Sequence, residues 1–169
     1  MFARFFKRSK AQPDRGSAAS VASGQRIYAI GDIHGELALA LTLAEKIHAD
    51  NAYRGPADTH LVFLGDFIDR GSDSRGVVEW LSAHAPAFAT CHFLRGNHED
   101  AFLSVLDGDE TDLAGWRRFG GRETLLSYGI SDKIVAMGGP LFRSELQDKV
   151  PPSHVAFLRA LSDSIAFGD

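Results

Sequence analysis

One pattern constrains this chain more than any other: a short apolar run, then a glycine, then a cluster of polar groups, three times over. Arg26 to Ile30 (RIYAI) leads into Gly31-Asp32-Ile33-His34-Gly35. His60 to Leu64 (HLVFL) leads into Gly65-Asp66-Phe67-Ile68-Asp69-Arg70-Gly71, and Phe88 to Leu94 (FATCHFL) into Arg95-Gly96-Asn97-His98-Glu99. Short apolar runs bounded by turn residues predict buried strands. Between them, Glu36 to Asp50 sets Leu37, Leu41, Ala44 and Ile47 at helical spacing, and Ser72 to His84 does the same with Val77, Val78 and Leu81. Strands alternating with helices predict parallel β-α-β crossovers and an α/β fold. In such a sheet the carboxyl ends of the strands share one edge, where ligands bind. The three polar clusters therefore converge in space.

The remainder of the chain predicts helices over 101–106, 113–119, 121–127 and 153–161, the last opened by Pro151 and Pro152. Ser164 to Phe167 (SIAF) predicts the start of another strand, and Gly138-Gly139-Pro140 a turn. The first 25 residues differ in kind. They hold five basic residues against Asp14 alone, then turn to Ser, Ala, Gly, Pro and Gln, the composition of a solvated linker. They are expected to form a disordered basic tail (1–25), with one domain over 26–169.

Composition narrows the chemistry. With 22 acidic and 18 basic residues the net charge is −4, which excludes a surface built to coat nucleic acid, and no specific nucleic-acid binding is expected. No run of about 18 apolar residues exists to form a membrane-spanning helix. The single cysteine, Cys91, can form neither an internal disulfide nor a thiolate cluster, so the expected location is cytoplasmic and the chemistry falls to oxygen and imidazole groups. Glycine is in excess, at 17 residues, and several flank the polar clusters.

These residue types suit a pair of divalent metals. Asp32 and His34, two apart on an extended turn, point to one side and could chelate one ion. Asp66 could bridge it to a second, and Asn97 could give that second ion a neutral oxygen. Oxygen and imidazole ligands with no thiolate suit manganese, iron or zinc. Two ions about 3.5–4 Å apart would hold and acidify a water, giving a hydroxide able to attack phosphorus near neutral pH. Arg70 and Arg95 could grip phosphate oxygens. His98 stands where it could protonate the leaving group, with Asp69 on its other ring nitrogen.

GDIHG (31–35), GDFIDRG (65–71) and GNHE (96–99) together resemble the signature of the phosphoprotein phosphatases, within the calcineurin-like metallophosphoesterases. Trp116 to Gly129 (WRRFGGRETLLSYG) resembles their bacterial branch, which includes serine/threonine phosphatases and symmetrical dinucleoside tetraphosphate hydrolases. The resemblance implies a four-layer α/β/β/α sandwich, metal ligation by Asp32, His34, Asp66 and Asn97, phosphate binding by Arg70 and Arg95, and proton donation by His98 backed by Asp69. It implies a phosphomonoesterase acting on phosphoserine or phosphothreonine proteins, or on a phosphorylated small molecule. The enzymatic alternative is dinucleoside polyphosphate hydrolysis. The family's later His-Ala-Gly and Gly-His motifs do not occur, and His48, His60, His84, His92 and His154 lie in other contexts, read as structural or solvated. The domain is therefore expected to be incomplete at its C-terminus, with the second metal short of two imidazoles; a catalytically impaired metal- or phosphate-binding chain is the further alternative.

Overall fold

A computed structural model of the chain describes residues 20–109, 111 and 113–168. The predicted tail thus lies almost wholly outside the described residues. Three strands, β1 (Gln25–Ile30), β2 (Asp58–Phe63) and β3 (Thr90–Phe93), form one parallel sheet in the order β1-β2-β3. Ile30 lies opposite Phe63, and Phe63 opposite Phe93, so the three strands end level with one another. That shared register is what brings the three glycine-bounded clusters to a single edge.

The crossovers are α1 (Leu37–Tyr53) and α2 (Ser74–Ala83). Helix α2 begins where the Asp73 side chain accepts a hydrogen bond from the Gly76 N–H at 2.8 Å, and it buries Val77, Val78, Trp80 and Leu81. Trp80 meets Phe63 edge-on, and Phe63 stacks on Phe93, tying the helix layer to the middle of the sheet.

Beyond β3 the chain is helical: α3 (Asn97–Leu106), α4 (Leu113–Trp116), a kinked segment (Arg117–Gly121) broken at the non-helical Gly120, α5 (Arg122–Ser127), α6 (Asp132–Met137), α7 (Gly139–Lys149) and α8 (Pro152–Arg159). Helix α3 starts earlier than its apolar spacing suggests, so His98 and Glu99 sit in its first turn. Helices α6 and α7 fill a stretch that local pattern left unassigned. Gly138 alone separates them, and Gly139 and Pro140 open α7, where the missing N–H of Pro140 costs nothing.

The predicted strand over 164–167 does not form. The chain instead makes one isolated parallel bridge, Leu94 to Ser162, and then leaves the sheet. Ser162 takes the hydrogen bonds that a fourth strand would have taken: its N–H donates to Phe93 O and its carbonyl accepts from the Arg95 N–H. Farther on, Phe167 packs its ring against His60 and His92. Among the described residues there is thus one three-stranded sheet with helices, an α/β arrangement consistent with part of a larger sandwich.

Candidate metal and phosphate site

The first two clusters are laced together by backbone. The N–H groups of Ile33 and His34 both donate to Asp66 O at 3.0 Å, Gly35 N–H donates to Phe67 O at 2.8 Å, and Gly71 N–H donates to His34 O at 2.9 Å. The third cluster is attached through a side chain. Glu99, fully buried, accepts from the backbone N–H groups of Asp66 (2.9 Å), Phe67 (2.8 Å) and Gly96 (2.9 Å). Burial pushes this carboxyl above its ordinary range, and the three N–H donors hold it down. Gly96 is required here, because a Cβ on it would collide with Asp66.

Backbone strain marks the same place. Among the described residues the non-glycine positions with positive φ are His34 (46°), Asp66 (51°), Asp69 (74°) and Arg70 (66°). Each left-handed residue of this kind costs about 1–3 kcal/mol and persists only where surrounding bonds enforce it. All four belong to the residues singled out for chemistry.

His34 is held with its Nδ1 2.8 Å from the Ile68 carbonyl. A carbonyl can only accept, so Nδ1 carries the hydrogen and Nε2 is left with its lone pair. That Nε2 is buried and has no hydrogen-bond partner among the described residues, with Asp32 Oδ2 3.5 Å away. Donor atoms of His34, Asp66 and His98 all fall within 4.8 Å of one another. A buried imidazole lone pair with no donor to satisfy it, beside a carboxylate and a second imidazole, fits a divalent cation of the borderline class.

The grouping differs from the sequence expectation in one respect. His98, expected only as a proton donor, stands among the metal-capable groups, its ring 4.8 Å from that of His34 and perpendicular to it. Asp32 approaches through His34 but remains largely exposed. Asn97 is exposed in the first turn of α3 and lines a cavity of about 330 Å³ with Arg70 and His98.

His98 Nδ1 lies 2.6 Å from Asp69 Oδ2, and its backbone N–H donates to Asp66 Oδ1 at 3.2 Å. Asp69 is completely buried and also accepts from the Trp116 indole N–H (2.7 Å) and the Thr124 hydroxyl (2.6 Å). Burial raises the Asp69 carboxyl above its usual range, while Thr124, His98 and Trp116 oppose that rise. Three donors and no competing acceptor fix the orientation of the His98 ring. Its Nε2 faces the cavity, where Arg70 Nη2 stands 3.3 Å away.

The two arginines part company. Arg70 lines the cavity. Arg95 instead donates through Nη2 to the carbonyls of Arg159 (3.2 Å) and Leu161 (3.1 Å), at the C-terminal end of α8, and lies 3.6 Å from Asp100. Its Nε is buried without a partner.

Glu99, Trp116 and Thr124 had no assigned part in the sequence reading. Trp116 stacks on Phe102, and its indole N–H donates to Asp69. The remaining histidines are structural, as expected, where their contacts are defined. His154 is fully buried between Glu79 and Tyr128, His60 bonds His92 and Asp58, and His48 stacks on Phe88.

A parallel sheet edge carrying imidazoles, carboxylates and an arginine around a metal-capable centre defines the class of metal-assisted hydrolases. More particularly, the chain belongs to the calcineurin-like phosphoesterase family, whose model matches residues 25–165. A Caenorhabditis elegans protein (C27B7.6), named for serine/threonine-protein phosphatase activity, is 30% identical over 122 residues, covering 67% of this chain and 26% of that protein. The symmetrical bis(5'-nucleosyl)-tetraphosphatase of Methylococcus capsulatus is 34% identical over 106 residues, 54% of this chain and 36% of that protein. Human serine/threonine-protein phosphatase with EF-hands 2 is 28% identical over 151 residues, 80% of this chain and 19% of that protein. The chain therefore spans between a fifth and about a third of the length of these curated relatives.

Proposed function

We propose that this chain is the metal-binding portion of a serine/threonine protein phosphatase. The observation that carries the reading is the buried His34 Nε2, unpartnered and facing Asp66 and His98 at the edge where Arg70 stands. Its domain is proposed to run over 26–169 behind a basic tail, as part of a four-layer α/β/β/α sandwich. His34, Asp66 and Asp32 would hold one divalent ion and Asp66 and Asn97 would share in a second, manganese being the first choice and iron or zinc the others. Bound there, such ions supply Lewis acidity to phosphoryl oxygens and lower the pKa of water.

The chain's own residues account for the other requirements. Arg70 offers a fixed guanidinium to phosphoryl oxygens, and its charge offsets charge carried through the transition state. Arg95 would join it only after exchanging the Arg159 and Leu161 carbonyls for phosphate. His98 is locked by Asp69 with Nδ1–H inward, so Nε2 is the atom that passes a proton to the departing serine or threonine oxygen. Asp69, held by the Trp116 and Thr124 donors, is the acceptor that orients the His98 ring. The site is expected to work in the cytoplasm.

Manganese-dependent phosphate release from a phosphoserine peptide tests this reading. Asp66→Asn and His98→Asn should each abolish release, and activity surviving both changes refutes it. The second reading, dinucleoside polyphosphate hydrolysis, is favoured by the 34% identity to a symmetrical tetraphosphatase. An anhydride leaves more readily than an alkoxide, so under that reading His98→Asn would spare diadenosine tetraphosphate far more than the phosphopeptide.

A further inference from the structure

The cavity beside His98 has a lining of two kinds: polar Arg70, Asn97 and His98, and apolar or aromatic Ala101, Trp116 and Phe119. Phe119 leaves 69% of its surface exposed. A single exposed phenylalanine is ordinary on a protein surface. This one is unusual in how firmly it is fixed to the reactive centre.

Phe119 lies in the kinked segment Arg117–Gly121, between Trp116 and Gly120, where the non-helical Gly120 breaks the helix. Trp116 is anchored to Asp69 through its indole N–H. Gly120 has φ 116°, its carbonyl accepts the Arg70 N–H at 3.1 Å, and a Cβ on it would collide with the Arg70 backbone. The segment is thus fastened on both sides of Phe119 to the loop bearing Asp69 and Arg70. A rigid aromatic face held next to a phosphate-gripping arginine gives a ligand large apolar contact at little entropic cost.

We infer that Phe119 is a specificity determinant: it receives a large apolar side chain adjacent to the phosphorylated residue of a peptide substrate. The inference rests on the protein-phosphatase reading above and deepens it. Consecutive Cα atoms of a peptide are about 3.8 Å apart, and a backbone bent at the phosphoserine, rather than extended, turns the neighbouring side chain toward the same cavity. Arg70 and His98 then take the phosphoryl group while Trp116 and Phe119 take its neighbour.

The test uses two phosphoserine peptides that differ only in carrying Leu or Gly on both sides of the phosphoserine. Binding to the full chain in manganese is read by fluorescence anisotropy, and kcat/KM by phosphate release. Covering part of a leucine side chain and of the Phe119 ring should favour the Leu peptide by about five- to tenfold. Phe119→Ala should bring that ratio to within about twofold of unity, and Phe119→Leu should keep part of it. Thermal midpoints confirm that both variants fold. A wild-type ratio near unity, a ratio that survives Phe119→Ala, or no binding of either peptide overturns the inference. So does a Phe119→Ala variant that loses affinity for diadenosine tetraphosphate while its peptide ratio is unchanged, since the ring would then be stacking a base. Equal phosphate release from both peptides refutes the subsite and leaves the phosphatase reading intact. A preserved binding ratio with no release from either peptide does the reverse.

Discussion

Replacing Glu99 with Gln changes neither size nor shape, yet it should destabilise this protein by about 2 kcal/mol. The structure supplies the arithmetic. Oε2 accepts two backbone N–H groups, from Asp66 and Gly96, and Oε1 accepts one, from Phe67. A glutamine amide turned to keep the pair sets its NH₂ against the Phe67 N–H, donor against donor. A buried N–H left unsatisfied costs about 1–3 kcal/mol. The two surviving bonds become neutral, losing roughly half their strength, on the order of 0.5–1 kcal/mol each. Relief from burying a charge, the same burial that raises the Glu99 carboxyl, returns part of this loss. For a chain of this length about 2 kcal/mol lowers the melting temperature by roughly 4–8 °C. Because Glu99 joins the second strand end to the third, manganese affinity should fall several-fold as well. Urea unfolding of wild type and variant, with calorimetric manganese titration, measures both. A midpoint unchanged with equal slope would refute the view of Glu99 as an ionised acceptor holding the site's loops in place.

Other outcomes follow from the same geometry. Trp116→Phe keeps the stacking on Phe102 but removes the indole N–H from Asp69, so stability should drop by about 1.5–3 kcal/mol; a variant as stable as wild type in urea contradicts that bond. Gly120→Ala places a side chain at φ 116° against the Arg70 backbone. A loss of more than about 1 kcal/mol is expected together with weaker phosphate binding, and calorimetry that finds both unchanged excludes the coupling. His34→Ala removes the unpartnered lone pair, and manganese titration should then show the tightest site gone. Asp132, paired with Arg122 and Arg117, has its carboxyl held below the ordinary range, first by the Arg122 hydrogen bonds. A depressed carboxylate contributes stability above its unfolded value, near pH 4, and loses it as pH falls through the lower folded value. Asp132→Asn should therefore lower stability near neutral pH and leave it nearly unchanged well below about pH 4, so that the acid limb of the unfolding curve flattens; an unaltered acid limb rules the pairing out.

What the sequence determined by itself is the α/β order, the three strand ends and the identity of the residues gathered there. Those are local properties: strand and helix periodicity, glycine at each turn, and parallel topology that forces successive strand ends to one edge. Asp32, His34, Asp66, Asp69, Arg70, Asn97 and His98 were legible for that reason. Tertiary structure decided how they are used. Trp116 and Thr124 reach Asp69 across 47 and 55 residues, and Glu99 reaches Asp66 across 33. Hydrogen bonds over such separations leave no periodic trace, because the partner is chosen by packing and by the need to satisfy a buried charge. The same cause turned Arg95 onto the α8 carbonyls and brought His98 beside His34 and Asp66. It also moved the pairing at the β3 edge to Ser162 and left 164–167 without a strand. Local pattern named the chemical groups; the packing of distant segments fixed their tautomers, their partners and the direction each one faces.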